Sequence, residues 1–248
     1  MPDLLLAAIV SVAFATEAAL GFGATVITVT LGSLVMGLEP LLAAFVPVNL
    51  LLSGYLLGRH RRHVDGPGLG RRILPFIGAG LVVGLLLFRL RHAHLLQLAF
   101  ALFVILLSLV ELYRLAGPGQ EEAAPLSRPR AALLLLLGGV VHGLFASGGP
   151  MVVYVMGRGR TDKARFRATL AALWLILNGI LVANYWTLHL FDGASARRSL
   201  LFLPSLLLGL VAGEWLHHRL PDRLFRRLVY VVLLVAATTL GARTAGRL

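Results

Sequence analysis

The chain has 248 residues, 58% of them hydrophobic and only 14% charged, with a formal net charge of +12. A soluble domain carries about a quarter charged residues, and here apolar stretches recur along the whole length, so the composition excludes a soluble fold and describes a polytopic membrane protein. The positive charge does not mark a nucleic-acid binder: the basic residues sit in short loops between apolar runs, with no zinc-finger spacing or aromatic-basic recognition sequence. The absence of cysteine excludes disulfides, thiolate metal sites and a cysteine nucleophile.

Met1-Pro2-Asp3 lacks the basic region of a cleavable signal peptide, so the first apolar run is expected to stay as structure. Apolar segments fall near 4–20, 24–37, 41–58, 73–88 and 95–113. A polar stretch over 114–130 follows, containing Gly117-Pro118-Gly119-Gln120-Glu121-Glu122, Pro125 and Pro129. A second set falls near 131–147, 150–157, 168–186, 199–216 and 228–242. The chain thus divides into an N-terminal membrane repeat, 1–116, a cytoplasmic linker, 117–130, and a C-terminal membrane repeat, 131–248.

The halves resemble each other. Leu74-Pro75 followed by Gly80 and Gly84 recurs, 129 residues on, as Leu203-Pro204 followed by Gly209 and Gly213, and the same offset relates Asn49 to Asn178. The glycine-rich breaks, Gly21-Phe22-Gly23-Ala24-Thr25 and Ser147-Gly148-Gly149-Pro150, match at an offset near 126, which needs a small insertion. Loop charge then tests orientation. Loops 59–72 and 157–167 each carry +4 and loop 217–227 carries +3, against −1 for 37–41, +2 for 89–94 and +1 for 187–198. With the first three in the cytoplasm, equivalent loops of the two halves lie on opposite sides. The expected fold is therefore all-α and polytopic, two homologous halves forming an inverted repeat, each of about five hydrophobic segments. The glycine-broken first pair of each half is too short for two full spans, so it is read as re-entrant hairpins or short tilted helices.

The ordered set formed by the first glycine break with Thr25-Val26-Ile27, Pro40, Asn49 and the basic loop Arg59-His60-Arg61-Arg62-His63-Val64-Asp65 resembles the TauE/SafE family of sulfite and organosulfonate exporters. The second half carries Gly143-Leu144-Phe145-Ala146-Ser147-Gly148-Gly149-Pro150, Lys163-Ala164-Arg165, Asn178 and Leu203-Pro204 in the same order. The resemblance runs from about Glu17 to about Leu240. It implies a secondary transporter for small sulfur-containing anions in a bacterial inner membrane.

Glycine and proline leave backbone N–H groups without helical partners, and a broken helix presents them at the positive end of its dipole. Gly21, Gly23, Thr25, Ser147, Gly148, Gly149 and Pro150 are thus candidate contacts to a small anion, with Thr16 as a further hydroxyl; close helix packing is the competing explanation for the glycines. For Gly80, Gly84, Gly209 and Gly213 packing is the favoured reading. Asn49 and Asn178 either contact the ligand or bridge helices. Glu17 and His142 are ionisable groups inside apolar runs near the breaks, and are candidates for proton coupling: a carboxylate beside an anion repels it until protonated. Arg165 and Arg167 are read as topology determinants with a gating role open, and Glu214 as interfacial. Trp174 and Trp186 are either interface anchors or core.

No cofactor, metal or nucleic-acid partner is expected; the partners are a small anionic substrate and the lipid bilayer, with a homo-oligomer left open. Two competing functions remain to be separated. An intramembrane hydrolase would use Ser147 and His142 as nucleophile and base within the second half alone, and a channel or metal carrier would need a carboxylate-lined path. A transporter requires both breaks to converge on one cavity.

Overall fold

The computed structural model describes residues 2–89, 93–117, 125–158, 163–219 and 222–246. Residues 118–124 of the expected linker, including Gln120, Glu121 and Glu122, lie outside the described residues, as do His92 and the side chains of His94, Lys163, His217 and His218. The first half contains α1 (Pro2–Leu20), α2 (Ala24–Gly32), α3 (Leu38–His60), the single turn α4 (Gly66–Gly68), α5 (Leu74–Phe88) and α6 (Ala93–Ala116). The second contains α7 (Arg128–Phe145), α8 (Gly149–Met156), α9 (Lys163–Thr187), α10 (Gly193–Arg219) and α11 (Asp222–Ala245). No strand occurs among the described residues.

Eight of these helical stretches are long and apolar enough to cross a membrane. At 9 and 8 residues, α2 and α8 are not, since a span needs about 20. The outer faces are apolar, with Val82, Leu86, Leu102, Leu106, Leu207, Val211, Val231 and Val235 all exposed. Such a belt would be an aggregation surface in water and is the normal exterior in hydrocarbon.

The helices pair across the two halves: α5 packs on α7, α10 on α1, α3 on α9 and α6 on α11. Small residues permit the first two contacts, because apolar side chains gain little over lipid and close backbone approach must supply the attraction. A Cβ on Gly80 would come within 3.0 Å of Gly139 Cα and against the Leu136 carbonyl, and one on Gly84 within 2.9 Å of Gly143 Cα, against the Val140 carbonyl. On the other side, Gly209 abuts Ser11 O, Phe14 and Ala15 N, and Gly213 abuts Ala15 O and Ala18. The packing role expected for these glycines is what the structure gives them. Leu136, Gly139, Val140 and Gly143 on α7 thus answer one for one to Ser11, Phe14, Ala15 and Ala18 on α1. Both contacts run parallel, whereas α3 and α9 cross antiparallel, with Gly54 near Leu175 and Gly179 near Leu50.

Polar bonds tie the ends of the bundle. The Asp65 N–H donates to Thr169 Oγ1 at 3.0 Å, and Arg89 donates to Asn184 Oδ1 at 3.4 Å. Arg243 donates to Leu34 O at 3.4 Å. In the connection before α10, Asp192 accepts from the Ser195 N–H at 2.8 Å, which holds its carboxyl below the usual carboxylate range.

Candidate functional site

The two breaks are built by different residues to the same plan. At the end of α1, Gly21 adopts φ 83 and its N–H donates to Glu17 O at 2.7 Å. At the end of α7, Ala146 adopts φ 54 and its N–H donates to His142 O at 2.7 Å. Both are left-handed caps that stop a helix. The helix-packing register extends through them, setting His142 against Glu17, Ala146 against Gly21 and Gly148 against Gly23. The positive φ of Gly23, 107, is one that a side chain rarely adopts. Gly148 has an ordinary φ of −69 but no room, since a Cβ there would lie 2.9 Å from His142 Cβ and against the Gly138 backbone.

A helix ended inside an apolar bundle leaves carbonyls that hydrocarbon cannot satisfy. Two side chains of α9 supply partners at the first break. Arg167 donates to Ala18 O at 2.6 Å, and Trp174 Nε1 donates to Gly21 O at 3.0 Å. On the donor side, the Ala24 N–H at the start of α2 points to Glu17 Oε2 at 3.3 Å. The carboxyl of α1 thereby caps the helix that follows it, at the position where the dipole favours negative charge.

Both breaks line one small central cavity. Glu17, Gly23, Thr25 and Asn49 reach it from the first half, His142, Ser147, Gly149 and Asn178 from the second, with Phe22, Val26, Ala146 and Trp174 completing the wall. Its volume of about 20 Å³ is room for about one water. The polar groups are buried, with Glu17 and Asn49 each 3% exposed and Asn178 1%. Asn49 donates weakly to Thr25 Oγ1 at 3.4 Å. Glu17 faces the Asn49 amide and His142 faces that of Asn178. Yet Glu17 Oε1, both amide oxygens and both nitrogens of His142 lack a well-formed hydrogen bond. Buried polar atoms are nearly always paired. Five such atoms around one cavity describe a surface made to meet something polar.

Eight of the eleven residues singled out in the sequence converge here; Gly21, Gly148 and Pro150 do not. Gly21 lines a neighbouring cavity with Glu17, Ser53, His60 and Arg167, so Glu17 stands between the two spaces. Pro150 lines a third, apolar one with Thr16, whose hydroxyl donates to Val12 O at 2.8 Å within its own helix. Ser147 and His142 share no hydrogen bond: the serine hydroxyl donates to Phe145 O at 2.8 Å. Among the described residues no three metal-ligating side chains cluster. Four wall residues, Phe22, Val26, Ala146 and Trp174, were not among the candidate contacts read from the sequence. The Trp174 ring stacks on His142 at 5.7 Å with an interplanar angle of 11°. Its place one helical turn before Asn178 was the available signal, since residues at that spacing share a face. Trp186, by contrast, is exposed, as is Glu214.

The family model for sulfite exporter TauE/SafE matches residues 5–240. The chain belongs to this family. A relative from Comamonas testosteroni described as a probable inner membrane transporter protein, TsaS, is 28% identical over 197 residues, covering 79% of this chain and 78% of its own. No solved structure matches. As a TauE/SafE protein with eight span-length helices among the described residues, the chain is a multi-pass membrane transporter.

Proposed function

We propose that the protein is a secondary transporter that exports a small anion, sulfite or an organosulfonate, by alternating access between two inverted halves, with Glu17 as its proton carrier. One observation carries this reading: breaks from both halves meet at a single buried cavity, where a carboxylate already caps an open helix N-terminus. The TauE/SafE family supplies the substrate class.

The inverted arrangement draws support from the exchanged packing. A two-fold relation would carry the α5–α7 contact onto α10–α1 and map α3–α9 and α6–α11 onto themselves, which is the observed pairing. Parallel contacts for the first two and antiparallel for α3–α9 fit the same scheme. The polar ties fit as well: Asp65 joins a loop assigned to the cytoplasm to Thr169 at the start of α9, just after another such loop, and Arg89 joins a loop assigned outside to Asn184 near the end of α9, just before another. A re-entrant second break is favoured because the start of α7 and the end of α8 line a common cavity, as they would if α8 doubled back.

The coupling follows from what the Ala24 N–H donates to. An oxyanion at the α2 N-terminus needs the donor that Glu17 holds, and an ionised Glu17 repels it. Protonation removes the repulsion and weakens the cap, freeing the N–H for the anion. Thr25, Ser147, Asn49 and Asn178 add neutral donors, and His142 adds one through its imidazole. Anion and proton therefore share a stroke. The cavity beyond Glu17, with Arg167 and His60, is the path by which the anion enters from the cytoplasmic side, and Arg167 is the cation that draws it in.

The test is flux of radiolabelled sulfite and of an organosulfonate in proteoliposomes, with and without a pH gradient. The expected outcome is anion flux accompanied by proton movement, both absent from protein-free vesicles. Folded, inserted protein that moves neither anion would end the sulfur-anion assignment.

A further inference from the structure

A large open space lies away from the central site, at the opposite ends of α7 and α8. Its volume is about 950 Å³, and four elements converge on it. Arg71 and Arg72 come from the turn leading into α5, Arg128 from the start of α7, Arg158 from beyond α8 and Arg165 from the start of α9. Asp65 is the one carboxylate among the described lining residues, and it is engaged elsewhere: its Oδ1 accepts from the Gly68 N–H at 3.0 Å, capping α4. Arg71, Arg72, Arg128 and Arg158 form no ion pair with a carboxylate among the described residues. Arg158 donates one guanidinium nitrogen to the Tyr154 hydroxyl at 2.6 Å, yet its Nε is buried without a partner.

Arginines at segment ends satisfy the positive-inside rule with no ligand at all. That explanation accounts for the charge and not for the cavity. The space is walled below the arginines by Ile73, Phe76, Leu135 and Val155, and it opens between two helices of span length, α5 and α7. A wall that is cationic at one end and apolar at the other matches an amphiphile. We propose that this cavity binds an anionic membrane phospholipid, its phosphate held by the guanidiniums of Arg72, Arg128 and Arg158 and its acyl chain lying against Phe76 and Leu135. Planar guanidiniums suit phosphate oxygens bidentately, and basic pockets between transmembrane helices are established lipid-headgroup sites. A soluble phosphate compound shares the charged half of this chemistry and has no use for the apolar half. The site stands apart from the transport proposal and is unaffected by which anion is carried.

Native mass spectrometry of the full-length protein released from nanodiscs tests the proposal, comparing phosphatidylcholine alone with phosphatidylcholine containing phosphatidylglycerol. Wild-type protein is expected to retain phosphatidylglycerol in preference to phosphatidylcholine. Arg72→Gln combined with Arg128→Gln is expected to reduce that retention about tenfold, whereas lysine at both positions keeps most of it. Arg197→Gln with Arg198→Gln, outside the cavity, leaves it unchanged. If the double variant fails to assemble, Arg128→Gln alone, at the exposed start of α7, makes the same comparison with a smaller expected loss. Equal retention by wild type and the cavity variant would overturn the proposal. So would protection from thermal unfolding by inorganic phosphate in phosphatidylcholine discs equal to that given by phosphatidylglycerol, which would assign the cavity to a soluble anion.

Discussion

The break after α1 and the break after α7 occupy matching places, and they solve the same problem with opposite means. The first uses two glycines at positive φ, and leaves its electrostatics to Glu17, Arg167 and Trp174. The second forces an alanine into the left-handed region and relies on contact, with Gly148 wedged against Gly138 and His142. The helix dipole and a left-handed cap are common to both, so the difference lies in the second glycine's backbone, φ 107 at Gly23 against −69 at Gly148, and in charge. One break is electrically committed; the other is a packed scaffold with an unpartnered imidazole. In the proposed mechanism the asymmetry divides labour, with Glu17 moving the proton and the second break giving the cavity its shape.

That division can be broken most severely from the scaffold side. In Gly149→Leu, the new side chain grows from a point 3.6 Å from Phe22 and Trp174 and fills a space of about 20 Å³. Both net flux and anion exchange in proteoliposomes are expected to disappear while the protein remains monodisperse.

Glu17→Gln attacks the charged side and should separate the two activities. A neutral side chain mimics the protonated state, so anion–anion exchange is expected to persist while proton-coupled net flux falls about tenfold or more, equivalent to about 1.4 kcal/mol. The sign in pH follows. Wild-type anion binding strengthens as pH falls, because protonation relieves repulsion, and the Gln variant loses that dependence. Net flux in Glu17→Gln equal to wild type would remove Glu17 from the mechanism.

The backbone contrast is sharpened by reciprocal substitutions. Gly23→Ala places a Cβ on φ 107 and should cost about 1–3 kcal/mol of stability. Ala146→Gly relieves a strained alanine and should gain about 1 kcal/mol. Denaturant titration of the two variants should move the midpoint in opposite directions. The smallest expected effect belongs to Trp174→Phe. This keeps an aromatic face for His142 and deletes the bond to Gly21 O, for about 1 kcal/mol of stability.

Much of the site was legible in the sequence because intramembrane polar groups and helix breakers are costly and therefore conspicuous. Glu17, Asn49, His142 and Asn178 stand out against apolar neighbours, and four of the seven candidate break residues line the cavity. The register between the breaks was harder to see. Matching glycine to glycine gave an offset near 126, whereas the packing aligns Gly21 with Ala146, an alanine doing a glycine's work that composition does not betray. Trp174 and Arg167 were legible only as residue types. Their roles depend on carbonyls of α1, far away in the chain, that no local pattern foretells. The basic cavity was equally hidden, since each arginine reads singly as an ordinary loop charge.

The exchange of partners between halves also bears on how the chain is made. Helix α1 leaves the ribosome well before its neighbour α10, which begins only at Gly193, and before α9, which supplies Arg167 and Trp174. At synthesis rates of about 5–20 residues per second, α1 waits roughly 10–40 s in the membrane for these contacts. Throughout that interval the end of α1 carries a glutamate and open carbonyls with no partner from the second half. The first half is therefore a held intermediate rather than a finished unit, and helices made late complete one made early.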